Sequence, residues 1–195
     1  MAVPTPVAVP ALHRMNWMRT TAFLLALIAA ALSLFVFGPK GQERRAAPSL
    51  AYQKAKADAL FESSFKQFSS TKVALAQFRG RPVIAYFWAS WCVECRDETK
   101  ALAALQLERQ PSGLAVIGIG VDQADQLERF TRDNAITYPV FVAGRDGIEL
   151  SKKMGNLRGE LPFIGVIDRR GVWVAKHLGK LEPQTLDAMA AAALQ

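Results

Sequence analysis

The chain has 195 residues, 51% of them hydrophobic and 21% charged, with a formal net charge of +7. That length suits one modest domain plus an appendage. With two cysteines and two histidines, His13 and His177, a closed four-ligand zinc site would need a carboxylate or a second subunit, and nothing interleaves basic and aromatic residues in the manner of a nucleic-acid surface.

Residues 1–19 read as a cytoplasmic N-terminal tail carrying Arg14 and Arg19. From Thr20 to Pro39 no residue is charged, and a helix over those positions would be about 30 Å long, enough to cross a bilayer. A cleaved signal peptide is the rival reading. The apolar stretch is longer than a usual signal h-region and ends in bulky Phe35-Val36-Phe37 rather than a small-residue cleavage pattern, which favours an uncleaved transmembrane signal anchor. Lys40, Arg44 and Arg45 follow the span, so the flanking charges argue against an outward-facing C-terminal domain. That rule is weak for large translocated domains, and a tethered dithiol has more disulfide work in an oxidising compartment, so the domain is expected outside. The first 50 residues carry five Lys and Arg against Glu43 alone, a juxtamembrane basicity suited to anionic lipid headgroups.

Residues 40–58 read as a polar tether, helical beyond Leu50, and residues 59–195 as the folded domain. Segments 64–68 and 73–78 suggest a short hairpin leading through Arg79-Gly80-Arg81-Pro82 into the apolar strand 83–88. The next helix is expected from about Val93 to Arg109, with Thr99, Leu102 and Leu105 facing inward and Pro111-Ser112-Gly113 ending it. Residues 114–121 form an uninterrupted apolar run, as a strand buried on both faces requires. A helix from about Asp122 to Asn134 follows, with Leu127 and Phe130 on one stripe, then a strand over 136–142 and a short helix over 146–154. Segments 159–168 and 172–177 flank a hairpin turn at Arg169-Arg170-Gly171, and a helix from about Pro183 to Leu194 closes the chain. The expected class is α/β, a central mixed sheet with helices on both faces.

Both cysteines lie in Trp88-Ala89-Ser90-Trp91-Cys92-Val93-Glu94-Cys95, directly after a strand and at the start of a helix. Thiols three residues apart on a first helical turn can close a small disulfide, and the positive helix end favours a thiolate on Cys92. Cys92 is the expected nucleophile and Cys95 the resolving thiol. Soft Cu(I) held by the two thiolates is an alternative, as is a pair of inert buried thiols.

The Trp-flanked Cys-x-x-Cys, the segment Glu160-Leu161-Pro162-Phe163-Ile164-Gly165-Val166-Ile167-Asp168 and the segment 136–141 resemble the membrane-tethered thioredoxin-like proteins of bacteria, the TlpA/ResA/CcmG group. The resemblance covers about residues 60–195. It implies a thioredoxin-like fold with an N-terminal hairpin and an inserted strand and helix over about 123–154. It also implies a redox-active Cys92–Cys95 disulfide with no other cofactor, and a cis-proline at Pro162 whose preceding residue, Leu161, offers its backbone to a client peptide. Trp91 would shield the disulfide and present apolar area to the client. Glu98 matches an acid that would exchange a proton with Cys95 if partly buried, against the alternative of a solvated, ion-paired glutamate. Three positions depart from the pattern: Glu94 replaces the proline before the second cysteine, Tyr86 replaces a buried strand acid, and Lys100 replaces a helix-kinking proline. A carboxylate at Glu94 opposes thiolate formation at Cys92.

The function implied is that of a membrane-anchored thiol:disulfide oxidoreductase of the bacterial inner membrane facing the periplasm. Its expected partners are disulfide-bearing clients such as apocytochrome c or a copper-assembly protein, a membrane thiol-transport reductant, and the lipid bilayer through residues 20–39. A Cu(I)-binding assembly factor and a redox-inert thioredoxin-fold binding module are the alternatives.

Overall fold

The computed structural model describes residues 50–68 and 71–195. The expected tail, membrane span and most of the tether lie outside the described residues. Among the described residues, no helix is long and apolar enough to cross a membrane.

Strand β3 (Val83–Trp88) organises the fold, because all six of its residues are buried. Side chains alternate across a strand, so Ile84, Tyr86 and Trp88 enter one apolar cluster while Val83, Ala85 and Phe87 enter another on the opposite face. β4 (Ala115–Gly120) pairs parallel with β3 from Val83↔Ala115 to Trp88↔Gly120. β6 (Phe163–Ile167) pairs antiparallel on the other side, from Val83↔Ile167 to Phe87↔Phe163. The seven-stranded sheet runs β2-β1-β5-β4-β3-β6-β7, with β1 at Ser64–Lys66, β2 at Lys72–Ala74, β5 at Val140–Val142 and β7 at Trp173–Leu178.

One face is covered by α2 (Cys95–Arg109) through Leu102 and Leu105, by α3 (Ala124–Asp133) through Leu127, and by α5 (Pro183–Leu194) through Leu186, Met189 and Ala190. The other is covered by α1 (Leu50–Phe61) through Ala57, Leu60 and Phe61, and by α4 (Gly144–Lys153) through Leu150. This is the expected mixed α/β sheet of thioredoxin type. The helix α1 runs across the expected boundary at residue 58 and seals the domain core.

Several expected elements come out shorter. Residues 75–78 form a 3-10 turn instead of continuing the hairpin strand, which buries Leu75 and Phe78 three residues apart on one side. Only Val140–Val142 of the expected strand 136–142 joins the sheet. Pro139 has no N–H to give a ladder, although its carbonyl still accepts from Gly118 N–H at 2.9 Å. Helix α2 begins at Cys95 rather than Val93. The inserted region holds two helices and one strand, α3, β5 and α4.

Close approach fixes Gly165 in β6. A Cβ there would stand 2.4 Å from the Trp173 ring, which is itself buried and stacks on Phe163. Replacement Gly165→Ala is therefore expected to lower stability by about 1–3 kcal/mol, read from urea unfolding at unchanged m-value.

Candidate redox site

β3 delivers the chain to the site at its C-terminal end. Beyond Trp88 the backbone tightens, with Cys92 N–H donating to Ala89 O at 3.2 Å, and α2 then starts at Cys95. Cys92 thus precedes the helix rather than sitting on its first turn. The consequence for its sulfur is favourable, because the Cys95 N–H at the helix start points at Cys92 Sγ, 3.2 Å away. A helix-terminal amide aimed at a sulfur stabilises negative charge there, so on reduction the thiolate belongs on Cys92.

The two cysteines are joined in a disulfide with Cα atoms 5.3 Å apart, inside the ordinary range. Access is graded: Cys92 is 6% exposed and Cys95 fully buried. Around them Trp91 and Val93 project outward, 67% and 81% exposed. Trp91 is accordingly no core aromatic, and its indole offers apolar surface at the rim of the site. Ser90 hydrogen-bonds Asp122, which follows β4, and Val121 N–H donates to Trp88 O, so the turn before Cys92 is tied to the neighbouring strand.

Leu161-Pro162 is a cis peptide. Since Phe87 pairs with Phe163, the residues just before β6 lie beside those just after β3, and Leu161 and Pro162 flank the same sheet end as the disulfide. Pro162 is buried and Leu161 half-buried against the core cluster that contains both cysteines.

Glu98 lies one turn along α2 from Cys95 and is 4% exposed. The solvated, ion-paired alternative is thereby excluded. Its Oε1 accepts from Leu181 N–H at 2.7 Å, while Oε2 is buried without a partner. Burial raises its pKa, and the Leu181 amide, the Tyr86 hydroxyl and the charge of His177 oppose the rise, with Glu94 adding slightly to it. Tyr86, at the strand position of the missing acid, donates to Cys95 O at 3.2 Å. Its own ionisation is pushed far up by burial and by Glu98. Glu94 is exposed and makes no side-chain cap on α2, so water screens its effect on Cys92. α2 runs unbroken through Lys100, which is exposed. Beside Glu98 opens a cavity of about 360 Å³, walled by α2 and the β7–α5 loop and including Glu94, Asp97, Lys180 and Glu182.

Among the described residues, no group of three or more His, Cys, Asp or Glu side chains is arranged to hold a metal ion. Two thiolates could take Cu(I) only after the disulfide is reduced. Sequence reasoning missed the β7–α5 loop altogether. His177 Nε2 meets Lys180 O at 2.8 Å and Leu181 reaches Glu98, contacts that no local sequence signal announces.

The AhpC/TSA family profile matches residues 53–182. The chain belongs to this family. Among curated proteins it is 28% identical over 128 residues to "Thioredoxin-like protein YneN" of Bacillus subtilis, covering 64% of this chain and 72% of that one. It is 26% identical over 117 residues to "Thiol-disulfide oxidoreductase ResA" of Bacillus thuringiensis, covering 60% of this chain and 65%, just under two thirds, of the relative. Among solved structures, a thiol:disulfide interchange protein of Chlorobium tepidum aligns with a TM-score of 0.61 at 24% identity, over 68% of this chain and 93% of that one. A secreted thiol-disulfide isomerase of Corynebacterium glutamicum aligns at 0.60 and 24%, over 69% and 83%. These structural likenesses establish the thioredoxin-like fold.

The buried acid makes a measurable prediction. Because its folded pKa is raised, Glu98 holds a proton in the native state where the unfolded chain, with a carboxyl pKa of about 4.3, has released it. Stability must then fall as pH rises from that value through the raised one. Glu98→Gln keeps an acceptor for Leu181 N–H and removes the titration. Its melting temperature relative to wild type is expected to rise steadily over that window, and a constant offset across pH would contradict the assignment.

Proposed function

We propose that this protein is a membrane-anchored, extracytoplasmic thiol:disulfide oxidoreductase that reduces client disulfides through Cys92 and Cys95. The observation that carries the reading is the Cys92–Cys95 disulfide itself, with Cys92 slightly exposed and its sulfur facing a helix-start amide, and with Cys95 fully buried one helical turn from the buried Glu98. The names of the relatives ResA and YneN support the same chemistry.

The chemistry follows from the geometry. In the reduced protein, the Cys92 thiolate attacks one sulfur of a client disulfide, forming a mixed disulfide and expelling the client's other sulfur as a thiolate, which takes up a proton from solvent. Cys95 then loses its proton, for which Glu98 is the nearby acceptor, and attacks Cys92 Sγ. That attack expels the client's second sulfur as a thiolate, which takes a proton from solvent, so the client leaves with two thiols, two electrons richer, and the protein returns to the disulfide. A dithiol reductant must reverse the cycle, and the resemblance points to a membrane thiol transporter. Trp91, Val93 and the Leu161-Pro162 edge form the rim on which an extended client would lie. The resemblance also supports clients such as the cysteine pair of apocytochrome c or of a copper-assembly protein.

The uncharged run from Thr20 to Pro39 supports a single-pass anchor in a bacterial inner membrane with the domain in the periplasm. The full-length protein should resist alkaline carbonate extraction from membranes and become extractable when residues 1–39 are removed. Release of the intact chain by carbonate would reject the anchor.

The catalytic test uses two variants. Cys92→Ala should abolish reduction of insulin disulfides, and Cys95→Ser should accumulate mixed disulfides with clients that wild type releases. Full insulin reduction by Cys92→Ala would eliminate the mechanism.

A further inference from the structure

The loop between β7 and α5 ties together parts of the site that lie far apart in sequence. Gly179 N–H donates to Pro162 O at 3.0 Å. His177 Nε2 lies 2.8 Å from Lys180 O. Leu181 N–H donates to Glu98 Oε1 at 2.7 Å. Gly179 adopts φ +83°, a conformation that L side chains rarely take, so the loop turns sharply enough to direct these successive groups to different partners. A carbonyl oxygen can only accept, so His177 contacts Lys180 as an Nε2–H donor, either as that neutral tautomer or as the cation.

We propose that His177 is a positioning residue of the redox site: it latches the β7–α5 loop so that the Leu181 amide holds the Glu98 carboxyl beside Cys95. The inference deepens the oxidoreductase reading and rests on it for its biological meaning. His177 acts in two ways. Its bond to Lys180 O fixes the peptide unit that carries the Leu181 N–H, and its positive charge, when present, favours the carboxylate form of Glu98. The other ionisable groups around Glu98 come from every element packed there. They are Tyr86 on β3, Glu94 just before α2, Tyr138 before β5, and Asp97, Lys180 and Glu182 around the adjoining cavity. Of these, Tyr86 and Tyr138 are held neutral by burial. Asp97, Glu94 and Glu182 are exposed acids, and Lys180 is exposed and pairs with Glu182 at 3.7 Å. His177 is thus the titratable side chain that both braces the loop and favours an ionised Glu98.

The experiment treats the reduced full-length protein with Ellman's reagent, an aromatic disulfide. Cys92 attacks it, releasing one thionitrobenzoate and keeping the other as a mixed disulfide. Cys95 then attacks Cys92 Sγ and releases the second, closing the protein disulfide. The rate of the second release against pH reports deprotonation of Cys95. His177→Leu should move the rising limb of that profile upward by about half a pH unit or more, because Glu98 loses stabilisation of its ionised form. His177→Gln, which can still donate to Lys180 O but carries no charge, should shift it less. In a Glu98→Gln background, His177→Leu should leave the profile unmoved. An unchanged profile in His177→Leu, or an equal shift in the Glu98→Gln background, would overturn the proposal. If His177→Leu does not fold, His177→Gln alone decides, with no shift counting against it. The assay uses no client, so failure of the oxidoreductase reading would show instead in the insulin test.

Discussion

Burial of β3 on both faces is the constraint from which the site follows. Six consecutive residues without exposed surface leave no freedom of register, since a slip by one would exchange Tyr86 and Phe87 between clusters of different shape. Pairing with β4 on one side and β6 on the other then fixes what lies beyond the strand ends. The segment leaving β3 carries the cysteines, and the segment entering β6 carries Leu161 and Pro162. Because β6 runs antiparallel to β3, these two segments meet at one edge of the sheet. The disulfide and the cis-proline segment are thus brought to one end of the sheet by strand direction.

Electrostatics at that edge is divided between the two sulfurs. Cys92 lies just ahead of α2, where the Cys95 amide and the helix end favour charge on sulfur. Cys95 is wholly buried, where a thiolate is disfavoured until something takes its proton. The asymmetry suits the first sulfur to attack, as proposed, and would leave the second in need of a base. Glu98 is the group proposed to meet that need, and its burial leaves Oε2 without a partner. An unsatisfied buried carboxyl oxygen is tolerated where it has work to do and is otherwise removed by packing.

Much of this was legible in the sequence. The apolar run at 83–88, the Cys-x-x-Cys behind it and the helix with Thr99, Leu102 and Leu105 inward all follow from periodicity. The C-terminal helix matches its expected bounds because Pro183 and the Ala-rich stretch mark it locally. Elements failed where a neighbour outweighed the local pattern. Residues 136–139 have strand composition, yet Pro139 and the short reach of β5 leave them outside the ladder. Residues 75–78 look like strand continuation, yet one turn of 3-10 buries both Leu75 and Phe78. The state of Glu98 depended on a partner 83 residues away, the Leu181 amide, and no window of sequence contains both. His177 likewise reads as an ordinary half-exposed strand residue until the loop folds back on it.

Tyr86 stands at the strand position where the resembled family carries a buried acid. The Tyr86 hydroxyl occupies that region and donates to the Cys95 carbonyl, which anchors the start of α2 to the sheet. In the proposed cycle the proton-accepting role falls to Glu98, on the helix itself and three residues from Cys95. An acid carried by the sheet is fixed by the most rigid element of the fold. One carried by α2 moves with the cysteine it serves, and its charge state is open to whatever packs on the helix's outer face. Here that is the β7–α5 loop, whose backbone also bonds Pro162.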